Sequence, residues 1–384
     1  MVFSKNLFFI GLGILIFSCD KPKSEKFTEI HYIDFTSEST QTPGQLQDIA
    51  TDIRVIKLET RDDVLLSYFN GHVGENFIVS LDRDKILLFD TEGKFIRKIS
   101  QKGNGPEEFN DIDAWAVDQE EKYLYYRDQG KNHIKVYDLG LSMFLSDIPF
   151  EDHGSLDGMI SFNDSVLAIL PGKFADYGYL YFFQNTAGEI LSGKRKEDEQ
   201  HPGAWAGMGT VFRRSFDQNM LLQSSDSDSV FLINKDSINT FAIINKDEPI
   251  VSGYTTTGKF VGIEYLDSKK AYFIQSTYEK TITTNSASMN VGDGIRFSYD
   301  LSSRSLTALT PFTYNFDGFE LELEWGIFEK YRVIFPFSTI RLITQIEAEL
   351  EKLKAKGMRN ESLESLRAGI SEDDNPYLIV GKLK

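Results

Sequence analysis

The sequence predicts an all-β fold assembled from repeated four-stranded units, and three observations carry that prediction. Aromatics are abundant, with 30 Phe and 17 Tyr, and Val, Ile and Thr recur in short runs; these residues suit a pleated, half-buried surface. The runs are bounded by Gly, Asn, Asp and Pro, which supply turn dihedrals at little steric cost. Finally, the runs come in groups of four within about 40 residues, a period that marks a repeat architecture.

The clearest unit spans Asp111 to Pro149. AWAVD (Ala114–Asp118), KYLYYRD (Lys122–Asp128), HIKVYDL (His133–Leu139) and MFLSDIP (Met143–Pro149) are separated by QEE, QGKN and Gly140. Four antiparallel strands in about 40–50 residues are the pattern of a propeller blade. Similar units run from Tyr68 to Ser100, Gly158 to Lys194, Thr210 to Ile244 and Phe260 to Leu309. A further unit starts near Asn315 with FELELEWGIF and RVIFPF. IRVIKLET (Ile53–Thr60) and the C-terminal strand Tyr377–Leu383 are expected to complete one blade between them, so that the ring has no open edge.

Two segments depart from strand periodicity. STIRLITQIEAELEKLKAKG (Ser338–Gly357) places Ile343, Ile346, Leu350 and Leu353 on one helical face behind a Ser338 cap, and Asn360–Ile370 reads as a second short helix. They are expected to form a helical insertion, about residues 338–370, in the last blade, packed against the sheet. The other departure is QKGNGPEEFND (Gln101–Asp111), whose Gly-x-Gly resembles a phosphate loop. Such a loop needs a helix N-terminus after it, and here Pro106 and the strand AWAVD follow. The stretch is read as a link between blades.

The N-terminus has the form of an export signal. LFFIGLGILIF (Leu7–Phe17) is too short to cross a bilayer comfortably and fits a signal-peptide core. Residues 1–18 are therefore expected to be removed. Ile16-Phe17-Ser18-Cys19 resembles a bacterial lipobox, which makes Cys19, the sole cysteine, the lipidated mature N-terminus. Residues 19–49 are read as the lipidated cysteine and a tether, and residues 50–384 as the folded domain. The net charge of −17 argues against nucleic acid and against electrostatic docking on anionic lipid.

The lipobox, IRVIKLET, FDTEGKFIRKISQKGNGPEEF, DSDSVFLIN and the ending DDNPYLIVGKLK together resemble the six-bladed β-propeller lipoproteins of Bacteroidetes-type bacteria. The second blade also resembles NHL repeats, in an NHL- or TolB-like propeller. The most telling pieces are Gly103-Asn104-Gly105-Pro106-Glu107-Glu108-Phe109 and Asn375-Pro376, although that family often has glycine where Glu107 stands. The resemblance implies a blade count of six and a lipoprotein facing the periplasm or cell surface. The residues alone divide nearly as well into seven units. No reaction is implied.

The residues offer no recognisable catalytic motif. The five histidines, His31, His72, His133, His153 and His201, show no paired metal-ligand spacing. Asp82/Asp84, Asp111/Asp113 and Asp226/Asp228 have Asp-x-Asp spacing, but none of the three has both the glycine and the distal glutamate of a calcium loop, so they read as turn aspartates. No metal site or cofactor is expected. Ligand contacts are expected instead on the long loops Lys196–Gly209, with Trp205 and His201, and Leu170–Tyr179, with Tyr177. An exposed aromatic there would stack on a glycan or pack against an envelope protein. The function expected is a non-enzymatic binding module, with a metal-dependent hydrolase or lyase in the channel as the alternative.

Overall fold

The computed structural model describes residues 29–384 apart from 38–39, 164, 173–174, 196–210, 215–218, 224–227, 235–236, 253–254, 283–286, 317, 325 and 330–331. Cys19 and the signal segment therefore lie outside the described residues. The described strands form six hydrogen-bonded sheets around a ring, in chain order. The first is Gly71–Val73, Ile78–Leu81, Lys85–Phe89 and Phe95–Gln101. In the second, Ile112–Val117, Tyr123–Asp128 and His133–Asp138 are joined by an outer strand in two pieces, Met143–Phe144 and Ile148–Pro149. The third runs from Leu156–Asn163 to Ile190–Arg195, and the fourth from Val211–Arg214 to Ser237–Asn245.

The chain is thus an all-β propeller with five regular blades, not the six expected from the sequence. Five sheets have the regular four-strand core of a blade. The remaining one is a seven-stranded sheet whose central strands, Thr255–Leu266, Lys270–Ile282, Ala287–Asp300 and Leu306–Phe316, are 11 to 14 residues long. Phe319–Glu322, expected to begin the following blade, instead folds back on Leu306–Phe316, with Thr313 opposite Glu322. The physical reason is the short turn around Gly318, at φ +84°, which makes antiparallel return the easy path.

Part of the expected tether is also structured. His31–Asp34 adds in parallel to Ser237–Asn245, and Thr40–Gln45 adds in parallel to Leu306–Phe316. Ile33 and Phe35 bury their side chains in the core shared by those two sheets. That burial anchors the segment, since each large apolar side chain removed from water contributes roughly 1.5–3 kcal/mol.

The ring closes between distant parts of the chain. Tyr377–Leu383 pairs antiparallel with Ala50–Lys57, Tyr377 standing opposite Lys57. Neighbouring sheets share apolar cores all the way round: Leu88 of the first packs with Tyr126 of the second, and Phe89 of the first with Ile334 and Leu378 of the last. Asn375 locks this junction. Its fully buried side chain accepts from Leu66 N and donates to Glu59 O and Val64 O, so it replaces backbone partners for a turning loop. Between Arg332–Phe337 and Tyr377–Leu383 lie two helices, Thr339–Ala355 and Glu361–Ala368, capped by the side chains of Ser338 and Asn360. Leu342, Ile343 and Ile346 face the core beneath them.

The glycine-rich link joins the first sheet to the second. Gly103 N donates to Phe109 O, and Phe109 N to Gln101 O, which closes a tight loop with the Phe109 ring buried. The Glu108 carboxylate folds inward to accept from Gly105 N at 2.9 Å and from Gln101 Nε2 at 3.0 Å. A side chain at Gly103 would place its Cβ only 2.0 Å from Glu108 Oε2, so glycine leaves room for that carboxylate to fold into the loop, and its backbone is not left-handed.

Candidate functional site

The first strands of four sheets, Gly71–Val73, Ile112–Val117, Leu156–Asn163 and Ile327–Glu329, line a central cavity of about 610 Å³. Its wall carries seven carboxylates against two basic side chains, His72 and Arg332. Several of these carboxylates serve the scaffold. Asp118 accepts from Lys122 N and Tyr123 N and so fixes its own hairpin turn.

At one junction, a histidine sits between two carboxylates drawn from neighbouring blades. His72 Nδ1 lies 2.7 Å from Glu329 Oε2, and His72 Nε2 lies 3.8 Å from Glu121 Oε1, an ion pair too long for a hydrogen bond. Burial alone would lower the imidazole pKa, but Glu329 and Glu121 override it and hold it up at about 9, so His72 is a cation at neutral pH. Glu121 also accepts from Glu75 N at 2.5 Å and Asn76 N at 2.8 Å. Burial opposes its ionisation, yet His72 and these N–H groups bring its pKa down to about 2. From the opposite side, Arg332 donates to Val73 O and Gly74 O. The turn Val73–Asn76 is thus gripped from both flanking blades. Two local features serve the grip: Glu121 adopts φ +56°, a strained value for a non-glycine residue, and Gly74 leaves room for its carboxylate, 2.2 Å from where a Cβ would stand.

The second junction joins the second and third sheets. Asp113 Oδ2 accepts from Arg127 Nη1 at 2.6 Å and from Leu156 N at 2.8 Å. Arg127, fully buried, also pairs with Asp152 and lies over the Phe150 ring. Asp113 Oδ1 is shut off from water and has no partner among the described residues. Burial is the main influence on Asp113 and pushes its pKa up to about 6 despite Leu156 N and Arg127. Asp157, the next residue along the anchored strand, also lines the cavity, and burial raises its pKa too.

The expected ligand contacts fare differently. Trp205 and His201 lie outside the described residues. Tyr177 is buried: its hydroxyl donates to Gly154 O at 3.2 Å, and its ring packs against Phe150, His153 and Phe182. It braces the third sheet from inside rather than facing solvent. His133 and His153 pair with Asp147 and Glu151 at the surface, whereas His72 lies between Glu329 and Glu121 on the channel wall. Asp82 does serve a turn, accepting from Ser67 N and Arg83 N. Asp113 does not: it stands within a strand, and its carboxylate crosses to the next blade. No local signal separates His72 or Asp113 from other polar strand residues, because their partners come from other blades. Among the described residues, no three His, Cys, Asp or Glu side chains gather to hold a metal ion.

Comparison with known proteins gives the same fold. A family model, a domain of unknown function designated DUF4934, matches residues 30–382, and the chain belongs to that family. A crystal structure of a protein described as exported, from Bacteroides fragilis, superposes with a TM-score of 0.62 at 14% identity, covering 93% of this chain and all of that one. The Swd1 β-propeller domain from Myceliophthora thermophila matches at a TM-score of 0.37 and 10% identity, covering 73% of this chain and 96% of that domain. No curated protein matches.

Proposed function

We propose that this DUF4934 member is an exported protein, lipid-anchored to the cell envelope at Cys19, that holds a small polar ligand in its propeller channel without transforming it. The observation that carries this reading is the cavity of about 610 Å³, built from four blades and walled by carboxylates. Its size falls in the range of small-ligand pockets, roughly 300–1,000 Å³. Rigid strands position its polar groups, which favours recognition with little ordering cost. The resemblance to exported and lipoprotein propellers supports the envelope location, and the NHL- or TolB-like character of the blades belongs to the same reading. Trp205 and His201 are assigned here to a rim loop that meets an envelope protein or glycan.

A panel of neutral, anionic and cationic small molecules tests the channel by their effect on melting temperature. At least one class is expected to stabilise the wild type. Glu120→Trp, at an exposed wall residue, should abolish that effect, while Leu141→Trp, on the outer face, should not. Stoichiometric tightly bound metal together with hydrolysis of an ester or lactone would overturn the reading in favour of an enzyme. The anchor is tested separately. Cys19→Ala should release the protein from membranes once the signal segment is cleaved, and continued membrane partitioning would remove the lipid from the proposal.

A further inference from the structure

We infer that the ring is held with the turns that follow its inner strands toward a lipid bilayer, and that the opposite mouth of the channel, beside the projecting ends of the long strands, opens away from it. This rests on lipid anchoring at Cys19 and adds which surface meets the lipid. Three observations carry it: where the turns gather, where the tether joins the fold, and how far the tether reaches.

The turns after the inner strands lie on one face of the ring. Glu121, beyond the end of Ile112–Val117, accepts from Glu75 N and Asn76 N, beyond the end of Gly71–Val73. Arg332, beyond the end of Ile327–Glu329, donates to Gly74 O. Gln119 Nε2 donates to Phe162 O at the end of Leu156–Asn163. Tyr265, next to the end of Thr255–Leu266, stacks on Phe328 with ring centroids 5.4 Å apart. The turn from Asp267 to Lys270 therefore belongs to the same face. Leu301 N donates to Lys269 O, which brings the turn after Ala287–Asp300 beside it.

The tether arrives at that face. Glu29 pairs with Arg304, which stands in the turn between Ala287–Asp300 and Leu306–Phe316. The other ends of the long strands point the opposite way. Gln223 donates to Val261 O and accepts from Ile263 N, and it stands opposite Val211, the first residue of its own sheet's inner strand. The inner strand of the fourth sheet thus begins at the level of Val261, and Thr255–Phe260 runs on for six residues, about 20 Å, past that level. Ile250–Ser252 and the strand from Tyr278 to Ile282 pair with that extension, so a ribbon projects from the ring on the side away from Glu29.

Reach decides between the two faces. From Cys19 to Glu29 the chain spans at most about 36 Å when fully extended. The strand Thr255–Leu266 alone measures about 36 Å from the projecting end to the turn face. A bilayer against the ribbon would require the tether to run taut down the outside of the ring over its whole length, the least probable state of a short polar chain. A bilayer facing the turns requires no such extension. Exposed Glu75 and Glu120 on the turn face repel anionic headgroups, so the tether rather than charge holds the ring there.

The test uses full-length lipidated protein in vesicles of phosphatidylethanolamine and phosphatidylglycerol that carry an energy acceptor on their headgroups. A donor dye is attached at Ser268→Cys, in the turn from Asp267 to Lys270, or at Ser288→Cys, on the ribbon opposite Thr281; both serines are exposed and belong to one sheet. A lipidated Cys19 has no free thiol to take the dye. Energy transfer to the bilayer should be about twofold or more stronger from Ser268→Cys, because the two sites stand about 35 Å apart along the sheet. Lys269→Cys and Asn290→Cys, at neighbouring exposed positions, should rank in the same order and replace either variant that folds poorly. Equal transfer from the two ends, or stronger transfer from the ribbon, in protein that floats with the vesicles would overturn the inference and leave the anchor standing. Wild-type protein that does not float with the vesicles would remove the anchor and this inference together.

Discussion

The two charged junctions on the channel wall are built from similar residues and end in opposite states. Around His72, two cations face three carboxylates, and backbone N–H groups of Glu75 and Asn76 absorb much of the remaining charge. Around Asp113, a single arginine faces Asp113 and Asp152, with Asp111 and Asp157 close by, and one buried oxygen has no donor. The first junction uses charge to hold three blades in register. The second leaves a buried carboxylate oxygen without a donor among the described residues. Carboxylate content alone does not separate the two junctions; the count of donors that reach each oxygen does.

The comparison makes its largest prediction at His72. His72→Ala leaves Glu121 and Glu329 facing one another without their cation and should destabilise the fold by about 3 kcal/mol, read from denaturant unfolding at pH 7. The pH dependence has a definite sign. The folded-state pKa of His72 is raised from 6.5 to about 9, so its contribution is complete below pH 6.5 and is lost as pH rises through about 9. Wild-type stability should therefore fall between those limits, and the fall should be missing from His72→Gln. An equal fall in both proteins would show that the clamp does not depend on the imidazolium.

A smaller effect is expected at Gly74. A methyl group there meets the Glu121 carboxylate, so Gly74→Ala should cost about 1–3 kcal/mol by forcing that carboxylate out of its turn. The cost should shrink in the background of Glu121→Ala, because both changes break the same contact. Additive losses would mean that Gly74 matters for some other reason. The smallest stability effect belongs to the second junction. Asp157→Asn should shift unfolding by less than about 0.5 kcal/mol, since no hydrogen bond or ion pair of the described residues depends on it. A large loss there would make the second junction a clamp as well and erase the contrast.

Much of the fold is legible in the sequence because its signals are local. KYLYYRD and HIKVYDL alternate against turn residues and form Tyr123–Asp128 and His133–Asp138. The closing pair of Ala50–Lys57 with Tyr377–Leu383 is likewise expected from two unpartnered strand patterns at the chain's ends. Less legible are the elements whose partners lie far away. Thr40–Gln45, with Pro43 and Gly44, carries no strand signature, yet it pairs in parallel at a sheet edge where proline is tolerated. The site is the least legible part. His72 and Asp113 look like any polar residue on an alternating strand, and what distinguishes them is which carboxylate or N–H arrives from the next blade.

By itself, then, the sequence determined the secondary structure of the blades, the punctuation between them and the exclusion of a phosphate loop at Gly103–Phe109, because strand alternation and turn dihedrals depend on neighbours along the chain. Tertiary structure alone decided that one sheet grows to seven strands, that His31–Asp34 joins the ring, that Tyr177 is buried, and that His72 is clamped while one Asp113 oxygen is buried without a donor. Those outcomes depend on burial and on donors supplied by residues distant in sequence, and in a buried site a single hydrogen bond made or missing sets both the charge and the role of a side chain.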